Sequence, residues 1–433
     1  MKHQILDNFL FMGNLLWISC ARKRDGLKAK NENNPSTTQK PPSKISDFYK
    51  CCRHGDFNQV QQLLSTMSLD EINKIESNGS TALHAACYHD HYDIVKMLLN
   101  AGASRSIRNR WYNLTPFQEA HTEQIRRLFF RANSTNDLTS NANIDRFAGF
   151  SVHTEWVMES KQGAEWKTNL YKWLRVQQSF QEMIAFLEDR YLVDHVIREC
   201  NNERDRNAIQ WFFHQAVLEQ DVQYFVKAYT SISPFYSIVN THMAESLLRF
   251  FRWDSDTRYP NTLEKSMGYL ASIFINHPDL RTFSYTGITY RGMILCQYDL
   301  SVYNVGKRLL NKSFLSTSID RCVAESFAGA DHANFMRRNL NNDLIQYTTL
   351  CIYKITNSST ALNIGTISEV PLEQEVLIMP LCAFEIKSIK QHSSNESNIH
   401  IEIELEECAG SSVNDINEST QSVPQNLHPR IVC

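Results

Sequence analysis

Ile288-Thr289-Tyr290-Arg291-Gly292-Met293-Ile294-Leu295 is the stretch on which the reading of this chain turns. Past Pro278 the residue pattern changes, and this run of β-branched and aromatic residues reads as a strand. Residues 313–319, 345–355, 375–379 and 384–389 read likewise. Ile399-His400-Ile401-Glu402-Ile403-Glu404-Leu405-Glu406 alternates strictly, the mark of a strand with one wet face, so its glutamates are expected on a solvated face rather than in a site. Upstream, residues 154–276 carry a helical pattern. Trp166, Leu170, Trp173, Leu174 and Gln177 share one face, and Phe180, Ile184 and Leu187 continue such a stripe, which reads as core. Helices followed by a run of strands predict an α+β fold.

Further towards the N-terminus a repeat stands out. Gly55-Asp56-Phe57-Asn58-Gln59-Val60-Gln61-Gln62-Leu63-Leu64 matches Asp90-His91-Tyr92-Asp93-Ile94-Val95-Lys96-Met97-Leu98-Leu99. Gly79-Ser80-Thr81-Ala82-Leu83-His84-Ala85-Ala86 is echoed by Leu114-Thr115-Pro116-Phe117-Gln118-Glu119-Ala120. This pattern resembles ankyrin repeats. Ala85 and Ala86 allow close packing of an inner helix, Val95, Leu98 and Leu99 form the apolar stripe of an outer one, and Gly102 is free to end it at positive φ. About two full units are visible, fewer than such arrays need alone, so the module is expected to lean on the segment C-terminal to it. The resemblance implies a protein partner on a concave surface, and a module separable from any chemistry.

Composition bounds the rest. Of 433 residues, 42% are hydrophobic and 21% charged, which suits folded domains, and a net charge of -3 does not favour nucleic acid as a partner. The 11 cysteines include no Cys-x-x-Cys pair, only the adjacent Cys51-Cys52, and no zinc set, so free thiols in a reducing cytoplasm are expected over an oxidised secreted form. No stretch is long and apolar enough to span a membrane. Residues 9–21 come nearest, followed by Arg22, Lys23, Arg24, Lys28 and Lys30. They only half fit a signal peptide. As a lipidated anchor starting at Met12 they carry Trp17 where Ser or Thr is wanted, which leaves a frayed helix or weak membrane contact. Cys433 is not placed as in a prenylation box. The organisation predicted is 1–44 disordered and basic, 45–131 repeats, 132–149 linker, 150–408 the main domain and 409–433 a polar tail.

Three short pieces in the strand-rich half carry candidate chemistry: Thr289-Tyr290-Arg291-Gly292, Ser313-Phe314-Leu315-Ser316-Thr317-Ser318, and Glu373-Gln374-Glu375-Val376-Leu377-Ile378. Singly, each reads as ordinary strand: a surface arginine, β-prone hydroxyls, a wet edge. In this order and spacing they resemble the arginine-specific mono-ADP-ribosyltransferases of the Arg-Ser-Glu type. The resemblance covers residues 150–408 and is strongest over 290–381. Tyr229-Thr230, Ser233-Pro234-Phe235-Tyr236 and Asn240 also look like that family's helical part.

The resemblance implies an ADP-ribosyltransferase split β-sheet domain with a helical N-terminal part, using NAD as substrate, with NADP possible, and no metal. Arg291 would bind the phosphate side of NAD, because its planar fork suits phosphate oxygens. Gly292 would hydrogen-bond the nicotinamide amide through its backbone, and Phe327 would stack on the nicotinamide. Ser316 would position Glu375, the catalytic glutamate, whose carboxylate would stabilise an oxocarbenium-like charge on the ribose. Glu373 would orient or deprotonate the guanidinium of a protein arginine acceptor. Residues 373 and 375 would share one face in extended backbone, as would Ser316 and Ser318. Residues 365–372 would form the acceptor-recognition loop, with Ile367 and Val370 where the family often carries aromatics. The rival readings are an NAD glycohydrolase, which Glu373 argues against, and a catalytically weak ankyrin scaffold, which the intact Arg291, Ser316 and Glu375 set argues against.

Overall fold

The computed structural model describes residues 45–130, 156–158, 178–251, 261–330, 346–392 and 398–408. The N-terminal apolar and basic segment, the stripe from Trp166 to Gln177, the linker residues 131–145 and the tail from Ala409 lie outside them.

Three helix pairs build the repeat module: Asp47–His54 with Phe57–Leu64, Ala82–Tyr88 with Tyr92–Asn100, and Pro116–Glu119 with Glu123–Arg127. The sequence displays only two full units because the first pair lacks the Thr-x-Leu-His signature and the third is short. Each first helix starts on a hydroxyl cap. Ser46 accepts from Tyr49 N, Thr81 from His84 N and Thr115 from Gln118 N, which satisfies amides that a helix start leaves without partners. The imidazole of His84 is fully buried. Its Nδ1 lies 2.7 Å from Thr81 Oγ1 and its Nε2 2.9 Å from Leu114 O. Burial lowers its pKa to about 4, so the ring is neutral and Nε2–H donates to the carbonyl of the next unit. Val95, Leu98 and Leu99 are buried as expected, and Gly102 has φ +93°.

Behind the sheet lie helices Phe180–Phe186, Glu203–Glu219, Val222–Thr230, Phe235–Phe251 and Thr262–Asn276, the first running on through a π-helical stretch, Leu187–Val196. Ile184 and Leu187 are fully buried and Phe180 packs against the same core. One stretch departs from the helical expectation. Trp156–Met158 is a strand, β1, and Trp156 reaches the core beside Tyr353 and Phe384.

Eight more strands come after it among the described residues: β2 Gly287–Cys296, β3 Arg308–Asn311, β4 Leu315–Ser318, β5 Gln346–Ile355, β6 Ala361–Asn363, β7 Glu375–Ile378, β8 Ala383–Gln391 and β9 Ile401–Glu407. Their order is β1-β3-β8-β9-β5-β2-β4-β7-β6, with β5 and β9 parallel and the other neighbours antiparallel. The α+β expectation therefore holds. The glutamates of β9 are paired rather than bare: Glu402 with Arg321, Glu404 with Lys390 and Glu406 with Lys354.

The sheet is nearly divided. β2 pairs with β5 over its full length, from Gly287↔Ile355 to Cys296↔Gln346, yet meets β4 only at Tyr290↔Ser318. From Arg291 onward, β2 and β4 are no longer paired. An aromatic cluster of Phe225, Tyr229, Phe274 and Phe314, with ring centroids 5.0–5.7 Å apart, joins the helical layer to the turn before β4. Tyr229 also donates to Asn240 Oδ1, so this pair of family-like residues belongs to the core.

Candidate active site

The three chemistry-bearing pieces meet where the sheet divides. Arg291 stands on β2 one residue past the bridge to β4. It is 3% exposed, and its Nη1 donates to Ser316 O at 2.9 Å. Ser316 sits on β4 opposite Leu377, and Ser318 sits opposite Glu375 on β7. Glu375 is fully buried and Glu373 is 5% exposed. Residues far apart in sequence are thus brought onto three adjacent strands.

Hydroxyls tie these strands together. Thr317 Oγ1 donates to Val376 O at 2.7 Å, and Thr289 Oγ1 lies within hydrogen-bonding reach of Thr317 Oγ1 and Ser318 O. Ser318 Oγ donates to Glu373 O at 2.7 Å and accepts from Asp320 N. The serine holding the glutamate segment is therefore Ser318, through the main chain. Ser316 Oγ is buried and makes no hydrogen bond among the described residues. A buried hydroxyl of that kind needs an explanation, and a bound substrate able to hydrogen-bond is one that fits.

The expectation that Glu373 and Glu375 share a face in extended backbone is corrected. Glu373 ends a 3-10 turn, Pro371–Glu373, and Gln374 takes a left-handed conformation with φ +46°. That kink, not strand alternation, sets the two carboxylates. Gly365 lies against it: a Cβ there would stand 3.2 Å from Gln374 Cα.

Gly292 has a structural reason of its own. A Cβ on it would fall 1.8 Å from Ala324 O, because helix Arg321–Phe327 packs directly on β2 at this point. The missing side chain thereby places Phe327, which is 8% exposed on that helix. In the loop before Glu373, Ile367 and Val370 are buried in the protein rather than displayed to an acceptor. Sequence reasoning missed Glu369 in the same loop. Its partners lie more than 260 positions away, and no local signal marks it.

Among the described residues, no group of three or more His, Cys, Asp or Glu could hold a metal ion, and no helix is long and apolar enough to cross a membrane. The nine described cysteines are unbridged.

Residues 29–129 match the family model for ankyrin repeats in three copies. The human photoreceptor ankyrin repeat protein is 36% identical over 62 residues, which is 14% of this chain and 14% of that protein. The chain thus aligns with a small part of that curated relative. Among solved structures, the type III effector XopAI from Xanthomonas axonopodis pv. citri superposes at 15% identity over 59% of this chain and 95% of that one, with TM-score 0.35. Vis toxin, an ADP-ribosyltransferase from Vibrio splendidus, superposes at 19% identity over 57% and 94%, with TM-score 0.25. Both scores are below 0.5, and the functional reading rests on the residues of this chain.

Proposed function

We propose that the chain is an NAD-dependent mono-ADP-ribosyltransferase that modifies arginine side chains. The observation that carries the reading is the convergence of Arg291, Ser316 and Glu375 on β2, β4 and β7 at the division of the sheet. In this reading NAD supplies an ADP-ribosyl group joined to nicotinamide by a labile glycosidic C–N bond. The bond breaks with its electron pair leaving on nicotinamide, and a guanidinium nitrogen of the acceptor forms the new bond to the same carbon.

Arg291 offers its guanidinium to a phosphate oxygen, and Ser316 Oγ supplies a hydrogen bond. Glu375 faces the ribose with a full negative charge where positive charge develops, and burial strengthens that attraction. Glu373 takes the proton that the acceptor nitrogen loses. Phe327, held by the close contact at Gly292, covers the nicotinamide. NADP is an alternative donor to the same residues. The ankyrin repeats supply a protein-binding surface.

Nicotinamide release with and without agmatine, a small guanidine, tests the proposal. Agmatine should accelerate release and become labelled. Release that agmatine leaves unchanged identifies a glycohydrolase instead, and no release at all identifies a scaffold. Glu375→Gln should reduce both activities by at least ~10²-fold, the scale for one preorganised electrostatic group. Near-wild-type release by that variant would sink the site assignment.

A further inference from the structure

Glu369 lies in the loop that leads into Glu373 and Glu375, and its carboxylate is 3% exposed. It is gripped by the repeat module. Oε2 accepts from Ser104 Oγ at 2.9 Å and from Ser106 Oγ at 2.6 Å, and Oε1 accepts from Arg105 N at 2.6 Å. The gripping loop is itself fixed, since Ser104 N donates to Asn73 Oδ1 at 2.8 Å. On the other side, Glu369 N donates to Thr230 Oγ1 of the helical layer at 2.8 Å. Leu372, one residue before Glu373, packs against the core of the repeats. A second joint stands apart from the loop: Asp70 Oδ1 accepts from Trp211 Nε1 at 2.7 Å and Gln215 Nε2 at 3.0 Å.

A buried carboxylate that lost these donors would carry an uncompensated desolvation cost, so the loop has one strongly favoured position. The distance along the chain from that anchor to Glu373 is four residues, and the segment includes Pro371. Little slack remains between the grip and the glutamates.

We propose that Glu369 is a positioning residue through which the ankyrin module sets the geometry of Glu373 and Glu375. This rests on the transferase reading of the site. The module is then part of the catalytic architecture, and the acceptor-side glutamate is placed by a residue that touches no substrate. Misplacement of catalytic groups by about an ångström costs up to ~10²-fold in rate, so even partial release of the loop is measurable.

The test uses the full chain with Ser104→Ala/Ser106→Ala, which leaves every site residue in place, alongside Glu369→Gln and the triple combination. Hydrogen exchange is followed in residues 365–374 and, as a reference, in β2. The grip predicts that the double variant loses about tenfold of the protection in residues 365–374 while β2 keeps its own. It predicts a kcat for agmatine modification lower by about tenfold with KM for NAD within about twofold, the mark of misplaced catalytic groups rather than lost binding. The triple variant should be no worse than Glu369→Gln, because both changes break one interaction. Unchanged loop protection, an unchanged kcat with the loop released, strictly additive losses, or equal loss of protection across β2 would each overturn the proposal. A wild-type chain that releases no nicotinamide overturns the transferase reading and the positioning role with it, while the exchange result still decides whether the grip exists.

Discussion

At the scale of single residues, Gly292 and Glu373 make the sharpest contrast. Gly292 answers to the protein's own packing, since Ala324 O occupies the space of its Cβ. Gly292→Ala should push helix Arg321–Phe327 off β2, cost about 1–3 kcal/mol in overpacking and weaken NAD binding through displaced Phe327. A variant with wild-type melting and wild-type NAD affinity by calorimetry would contradict that account. Glu373→Gln should leave the fold alone, abolish transfer to agmatine and spare slow NAD hydrolysis, because only the acceptor loses its partner. Parallel loss of both activities would make Glu373 structural. The candidate site was legible as three pieces in order, because Arg, Ser and Glu there are the residue types the chemistry needs. The kink at Gln374 was not legible, because glutamine at positive φ carries no sequence signal, and the alternation argument for the two carboxylates fails on it. Glu369 was invisible for another reason: serines and a backbone amide from a distant repeat look like any loop.

Among elements, legibility followed length. β9 alternates over seven residues and shows it, and β2 and β5 are long enough to read as strands. β1 and β6 have three residues each and β3 has four with three in a row buried, so no period exists to be read and their neighbours decide their state. The repeat helices were legible through their caps and His84. That histidine carries a pH prediction. Its folded pKa of about 4 lies below the ordinary 6.5, so the unfolded chain binds the proton first as pH falls. The stability conferred by neutral His84 is full above 6.5 and drains away down to about 4, by on the order of 3 kcal/mol. Glu119 acts oppositely, since burial raises its pKa to about 7 and protonation favours its folded form. Comparison with His84→Gln isolates the histidine: the melting advantage of wild type over the variant should shrink between pH 6.5 and 4. An advantage constant with pH would exclude the mechanism.

For the whole molecule, the repeats and the sheet are joined at Glu369, at Leu372 and at Asp70, which revises the expectation of a separable module. A chain lacking residues 45–130 should melt lower and modify agmatine at least about tenfold more slowly, since it exposes a buried carboxylate and the apolar face around Leu372. Circular dichroism of the shortened chain comes first, and a well-folded product with wild-type turnover would restore the separable view. The single Tyr290↔Ser318 bridge has a mechanical side as well. Along that seam the ladder offers almost no resistance. Phe314 packed on Tyr229 and Phe274, and the bonds of Asn311 to Met379 O, Ser313 O and Cys382 N, do the fastening. A joint fastened by side chains yields by sliding instead of unzipping. Under load the two leaves of the sheet should shear along the seam while β2 and β5 stay laced, so the sheet behaves as two stiff plates on a soft gasket.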